Sequence, residues 1–227
     1  MAPPGTLVGM RTTRVTWMLG GGALVATLAL GGCTGSPGSS APTSSATPAP
    51  APLGVASPAP PEHEVIGTGT VMEVAGEVQL CLGPIMESYP PQCNGIPLAG
   101  WSWDGLDGAE SSGDTTWGSY AVTGTFDGTT FTLTGEPLLL ALYDPMPWPD
   151  PTGGQTGSAD EATLTTLQDE LPARLGSDGS VYFGSTPDRG YLWVDVLWDD
   201  GTYQDAADAE FGEAVVIIRS ALRVIEG

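Results

Sequence analysis

The chain has 227 residues, 41% of them hydrophobic, and sets 27 aspartates and glutamates against six basic residues, a formal net charge of −21. A field of that sign repels nucleic acid phosphates and anionic head groups, which excludes partners held by those charges. The single histidine, His63, lies between Glu62 and Glu64, and no HExxH, P-loop or dinucleotide glycine pattern occurs. Histidine-assisted nucleophilic catalysis, zinc hydrolysis and nucleotide chemistry therefore lack their residues, and no cofactor is expected.

Arg11 and Arg14 precede an apolar stretch from Val15 to Leu30, the layout of a secretory signal. That stretch is short for a bilayer span of about 20 residues, and Gly20, Gly21 and Gly22 weaken it as a helix. Leu30-Gly31-Gly32-Cys33 resembles a bacterial lipobox, in which an aliphatic and two small residues precede a lipidated cysteine. Residues 1–32 are thus expected to be a lipoprotein signal peptide, starting at Met1 or Met10, and Cys33 to carry the lipid. The alternative is an ordinary signal peptide whose cut falls near Cys33. Either way the protein is expected outside the cytoplasm, and the lipid reading anchors it to the outer leaflet of the cell membrane. Every basic residue is arginine, and once the two in the signal are gone, four face 27 acids, a charge of −23. The lipid must then hold the membrane without electrostatic help.

Of the 28 residues from Thr34 to Pro61, 26 are Pro, Ala, Ser, Thr or Gly and none is charged. So little apolar surface cannot offset the entropy of ordering, and residues 33–61 read as a lipidated cysteine with a disordered tether. Its reach is roughly 30 Å as a coil and 90 Å as polyproline II.

Residues 62–143 read as a β domain. Val65 to Val74 and Glu77 to Leu82 flank a tight turn at Ala75-Gly76, and Ile96 to Trp103 reads as an edge strand because Pro97 cannot donate to a central ladder. Trp117 to Phe126 and Thr129 to Thr134 flank Asp127-Gly128, a pair suited to a type I′ turn. Tyr120, Val122, Phe126, Phe131 and Leu133 alternate with polar or small neighbours, giving each strand one core face. Five short strands imply a small barrel or sandwich, comparable in architecture to an OB-fold. With Cys33 lipidated, Cys81 and Cys93 are the remaining pair and are expected to form a disulfide, its loop held extended by Tyr89-Pro90-Pro91.

Cys81-Leu82-Gly83-Pro84, Glu87-Ser88-Tyr89-Pro90-Pro91-Gln92-Cys93, Gly100-Trp101-Ser102-Trp103 and Tyr120-Ala121-Val122-Thr123-Gly124-Thr125-Phe126-Asp127-Gly128 together resemble a family of uncharacterised secreted proteins and lipoproteins of actinobacteria. The resemblance implies an envelope location and nothing about catalysis.

Residues 144–158, rich in Pro and Gly, read as a linker, and 159–227 as a small α+β domain of order α-β-β-α-β. Ser158 and Glu161 have capping-box spacing, and Leu164, Leu167 and Leu171 share one face of a helix that Pro172 ends or kinks. Strands follow at Val181 to Gly184 and Tyr191 to Trp198, then a helix from Thr202 to Phe211 stopped by Gly212, and a strand from Ala214 to Arg219.

Candidate chemistry rests on carboxylates and tryptophans. Trp101 and Trp103 with Asp104, Asp107 and Glu110 are candidates for a sugar groove with an acid pair, or, for the three acids, a calcium site. Set against this, tryptophans fill cores and Asp-Gly pairs make turns. Asp199-Asp200-Gly201 likewise offers oxygen ligands or, more simply, a turn with an acid at a helix N-terminus. The leading expectation is a non-enzymatic binding or accessory module of the cell envelope, contacting an envelope protein or a wall glycan and no nucleic acid. The alternatives are a carboxylate-based hydrolase of wall glycans and a divalent-cation-binding module.

Overall fold

The computed structural model describes residues 49–145 and 147–225, so the signal segment, Cys33 and residues 34–48 lie outside the described residues. β1 (Val65–Val74) and β2 (Glu77–Cys81) form the expected hairpin. Its turn residues, Ala75 at φ 53° and Gly76 at φ 89°, both take the left-handed conformation that a type I′ turn requires. β3 (Ile96–Ala99) follows the disulfide loop, and β4 (Glu110–Ser112) leads into the long β5 (Thr115–Phe126). β6 (Phe131–Leu133) returns along β5, and β7 (Leu138–Leu139) adds a short pairing to it. β3 runs parallel to β6 and β1 pairs antiparallel with β5 over ten residues, so the ring β1-β2-β3-β6-β5 closes on itself. The mainly β fold with a five-stranded barrel read from the sequence is what forms, and closure removes the free edges that a small open sheet would expose.

Each strand turns alternate residues inward, as its pattern implied. Val65, Val71, Leu80, Leu98, Val122 and Phe131 meet inside the barrel. Closure also needs a tight corner: a Cβ on Gly124 would lie 2.1 Å from the Thr132 carbonyl oxygen, so only glycine lets β5 and β6 approach this closely.

Three local expectations are corrected. β3 is not an edge: its first half pairs with β2 and its second with β6, and Pro97 sits where the ladder changes partner. Asp127-Gly128 does not form a type I′ turn, since only Gly128 has positive φ. Instead Asp127 Oδ1 accepts from the Thr129 and Thr130 N–H groups at 2.8 and 2.7 Å, organising a four-residue connection. The disulfide loop folds back, with the Met86 N–H donating to the Gln92 carbonyl at 2.8 Å around a cis Tyr89–Pro90 bond, where an extended path was expected. Cys81 and Cys93 stand at disulfide distance, Cα to Cα 6.0 Å.

The C-terminal elements are α1 (Glu161–Leu175), β8 (Tyr182–Asp188), β9 (Tyr191–Val196), α2 (Thr202–Phe211) and β10 (Val216–Ser220), the expected α-β-β-α-β order. β9 lies centrally, antiparallel to β8 and parallel to β10. The cap of α1 is Asp160, which accepts from the Thr163 N–H at 2.8 Å, and not Ser158. Pro172 neither ends α1 nor stops its packing: the helix runs three residues further, and burial of Leu171 and Leu175 on either side offsets the one missing N–H. Leu164, Leu171, Leu192, Val194, Val196 and Ala207 make the core between helices and sheet.

Two segments tie these elements to the rest. After β10 the chain turns so that Leu222 enters the barrel core, and β11 (Arg223–Val224) pairs with the start of β1, on the side β2 leaves open. At the other end, residues 49–61 do not behave as free tether. Leu53, in a short 3₁₀ turn, is 1% exposed in the helix–sheet core, and its N–H donates to Glu210 Oε1. Further along, the Ala59 N–H donates to Asp200 Oδ2 at 2.9 Å, while its carbonyl accepts from Trp198 Nε1 at 2.8 Å. The tether reading fails here because one leucine buried in a preformed groove, with these bonds, outweighs the polar-small composition around it. The described residues form one compact unit, so the segments on both sides of 144–158 pack together.

At each outer edge of the three-stranded sheet a glutamine side chain bonds the backbone. Gln204 of α2 accepts from the Ile218 N–H and donates to the Val216 carbonyl, both at 2.9 Å, as a neighbouring strand would. Gln168 of α1 donates to the Ser185 carbonyl on the other edge at 2.7 Å. Gln204→Ala should therefore cost about 2 kcal/mol in a urea melt, two partly buried bonds of about 1 kcal/mol each, with aggregation rising as the β10 edge opens. A loss under about 0.5 kcal/mol would mean that water replaces the side chain at no cost.

Candidate functional site

The tryptophans and acids singled out from the sequence do not converge on a groove. Trp101, Trp103 and Tyr120 form an edge-on aromatic cluster with ring centroids 5.1 to 6.2 Å apart, packed against the barrel core. Trp103 Nε1 donates to Glu73 Oε2 at 2.7 Å, and Trp101 Nε1 is buried without a hydrogen-bond partner among the described residues. Asp104 and Asp107 are exposed in turns and bends, Glu110 is exposed at the start of β4, and the Asp107 carbonyl accepts from the Tyr120 hydroxyl. Among the described residues no three His, Cys, Asp or Glu side chains are placed to hold a metal ion. Asp199 and Asp200 organise the start of α2: Asp199 accepts from the Tyr203 and Gln204 N–H groups, and Asp200 from Thr202. Burial pushes the Asp199 carboxyl above its ordinary range, against the opposing pull of those N–H donors.

A different place gathers aromatic and charged groups. The sheet face away from the helices carries Tyr191, Trp193 and Ile217 as a separate buried cluster, with Asp195 and Arg219 beside them. Residues 147–157 run over this face, where the Gly157 N–H donates to the Arg189 carbonyl at 2.8 Å. Between them opens a hollow of about 390 Å³, lined by Trp148, Asp150, Thr186, Arg189, Trp193 and Arg219 among others. Trp148, 45% exposed, also walls a second hollow of about 310 Å³ with Leu82, Pro84 and Phe183, and a small third one beside Arg223. The result is one groove with Trp148 as its divider.

Its charges are paired. Arg219 binds Asp195 through Nε and Nη2, both at 2.8 Å, and its guanidinium lies 5.4 Å from the centre of Trp193. Arg189 donates from Nε to Asp188 at 3.0 Å and reaches Asp150 at 3.6 Å, and the hydrogen bond to Asp188 is the first cause that holds it in its charged form. The Thr152 hydroxyl, before Arg189, keeps the Asp150 carboxyl below the ordinary carboxylate range. Arg223 lies 5.1 Å from the Trp148 ring centre. Neither Arg189 nor Arg219 uses Nη1 in a hydrogen bond among the described residues. Three of the four arginines that follow Cys33 thus meet at one groove, in a chain where acids outnumber bases more than fourfold.

Compared with protein-family models, with curated proteins and with solved structures, the chain shows no significant match in any of the three.

Proposed function

We propose that the protein is a non-enzymatic binding or accessory module of the cell envelope, tethered to the outer leaflet by a lipid on Cys33, with the Trp148 groove as its contact site. The observation that carries the contact site is the gathering of Trp148 and Trp193 with Arg189, Arg219 and Arg223, against the charge of the rest of the chain. A half-exposed tryptophan held beside guanidinium groups suits a recognition surface, because it offers apolar area and directional donors together. The signal and cysteine pattern at residues 11–33, and the resemblance to secreted actinobacterial lipoproteins, support the anchoring. Because residues 49–61 are docked, the available tether is residues 34–48, a reach of about 20 Å as a coil and about 45 Å as polyproline II. The module would work close to the membrane.

Two variants test the two halves of this reading. Cys33→Ala expressed in a lipoprotein-processing host should release the protein from the membrane fraction, and equal retention would contradict the lipid anchor. Purified wild-type protein should co-sediment with insoluble envelope material, and Trp148→Ala should lose most of that binding while melting within a few degrees of wild type. Equal sedimentation of the two would remove the groove from the account.

A further inference from the structure

We infer that the groove divided by Trp148 takes a neutral oligosaccharide, a deepening that rests on the binding-module reading above. The floor is the sheet face that carries Trp193 and Arg219, and at each edge of that sheet a glutamine side chain bonds the backbone, Gln168 at Ser185 and Gln204 at Val216 and Ile218. An extended peptide lying across a sheet face finds no strand to pair with, because ladder N–H and C=O groups point along the sheet and not out of its face. A simple anion is disfavoured as well. Arg189 and Arg219 are each neutralised by aspartates at hydrogen-bond distance, so the groove offers no net positive charge, and the acidity of the chain opposes any anion that approaches.

What the groove does present is donors and acceptors side by side. The Nη1 groups of Arg189 and Arg219 donate, the oxygens of Asp150 and Asp188 accept, and the exposed Thr186 hydroxyl does both. A sugar hydroxyl donates one hydrogen bond and accepts others, so a ring with adjacent hydroxyls matches such an array where a carboxylate or an ammonium does not. The C–H face of the same ring is apolar and packs on an exposed indole, which Trp148 supplies at the point the two hollows share. Each of these hollows, about 390 and 310 Å³, falls in the range of small-molecule sites. A chain of sugars crossing Trp148 would occupy both, with the second set against Leu82 and Phe183.

The test is calorimetric titration of the purified full chain with neutral hexasaccharides built on glucose, galactose, mannose and N-acetylglucosamine, with hexagalacturonate as the anionic control. At least one neutral hexasaccharide should bind, with an affinity unchanged between low and high sodium chloride. Trp148→Ala should weaken it by about tenfold or more, and Thr186→Val and Arg189→Gln, both on the exposed rim, by several-fold. Failure of all four to bind, binding by hexagalacturonate alone with strong salt dependence, or undiminished binding by Trp148→Ala would each overturn the ligand class. If Trp148-dependent co-sedimentation persists and no hexasaccharide competes it, the saccharide inference is wrong while the binding module stands. Loss of co-sedimentation and saccharide binding together overturns both.

Discussion

Leu53→Ala should destabilise the protein by about 3 kcal/mol, within the 2 to 5 kcal/mol range of buried leucine truncations. The reason is geometric: Leu53 is 1% exposed and packs in the core formed by α1, α2 and the central strand. Its removal leaves a cavity between elements that are held elsewhere and cannot collapse to fill it. For a compact unit of this size the melting temperature should fall by roughly 6 to 12 °C. Val55 is the internal control, since it is 71% exposed two residues on, and Val55→Ala should change stability by less than about 0.5 kcal/mol. Equal, negligible effects of the two substitutions would return residues 49–61 to the tether.

Loss of the Cys81–Cys93 bond should cost about as much. The two cysteines are 12 residues apart, and closing a loop of that length removes enough unfolded-state entropy to stabilise by about 3 kcal/mol. A folded-state consequence adds to this. The loop leaves the barrel at Leu82 and packs Gly83 against Phe183 so closely that a Cβ there would meet the ring at 2.5 Å. Leu82, Gly83 and Pro84 are also the barrel-side wall of the second hollow. Cys93→Ser should therefore lower the urea midpoint and weaken ligand retention together, and reducing agent should add nothing to the variant. A wild-type protein whose stability is indifferent to reductant would show that the two thiols are not bonded in solution.

Much of the fold could be read from residues because local chemistry and packing agree there. The barrel strands carry apolar residues at alternate positions, α2 has Tyr203 and Ala207 on one face and Gly212 at its end, and these elements form where expected. Where the reading went wrong, tertiary contacts outweighed a local rule. Pro97 signals an edge strand, yet β3 changes partner at that residue and enters the ring. Asp-Gly signals a two-residue turn, but the Asp127 carboxylate captures two N–H groups and builds a longer connection, while the less suggestive Ala75-Gly76 makes the tight turn. Leu53 was hidden in a run of small residues and proline whose composition carries no information about a groove waiting elsewhere.

The groove was the least legible part, for a definite reason. Trp148 falls in the proline-rich segment that reads as a boundary, and Trp193 in a strand apolar on both faces, where alternation cannot tell which side lies against helices. One signal of it lies in the sequence: beyond Cys33 the chain has only four arginines, and three of them lie after residue 188. Scarce charges of one sign in a chain of the other are costly to place at random, and their partners Asp150, Asp188 and Asp195 come from separate segments that only folding joins. By contrast, the tryptophans of the 100–103 segment, Trp101 and Trp103, pack against the barrel core.

The central claim is that recognition occurs at Trp148 and not at the Trp101–Glu110 turn region. Hydroxyl-radical footprinting of the full chain, alone and with the envelope material that it sediments with, reads both places in one experiment. Oxidation of Trp148, which is 45% exposed, should fall several-fold on binding, with protection extending to the Thr186–Arg189 peptide and no change at Trp103. Protection centred on Trp101 to Glu110, with Trp148 oxidised as in the free protein, would contradict the account.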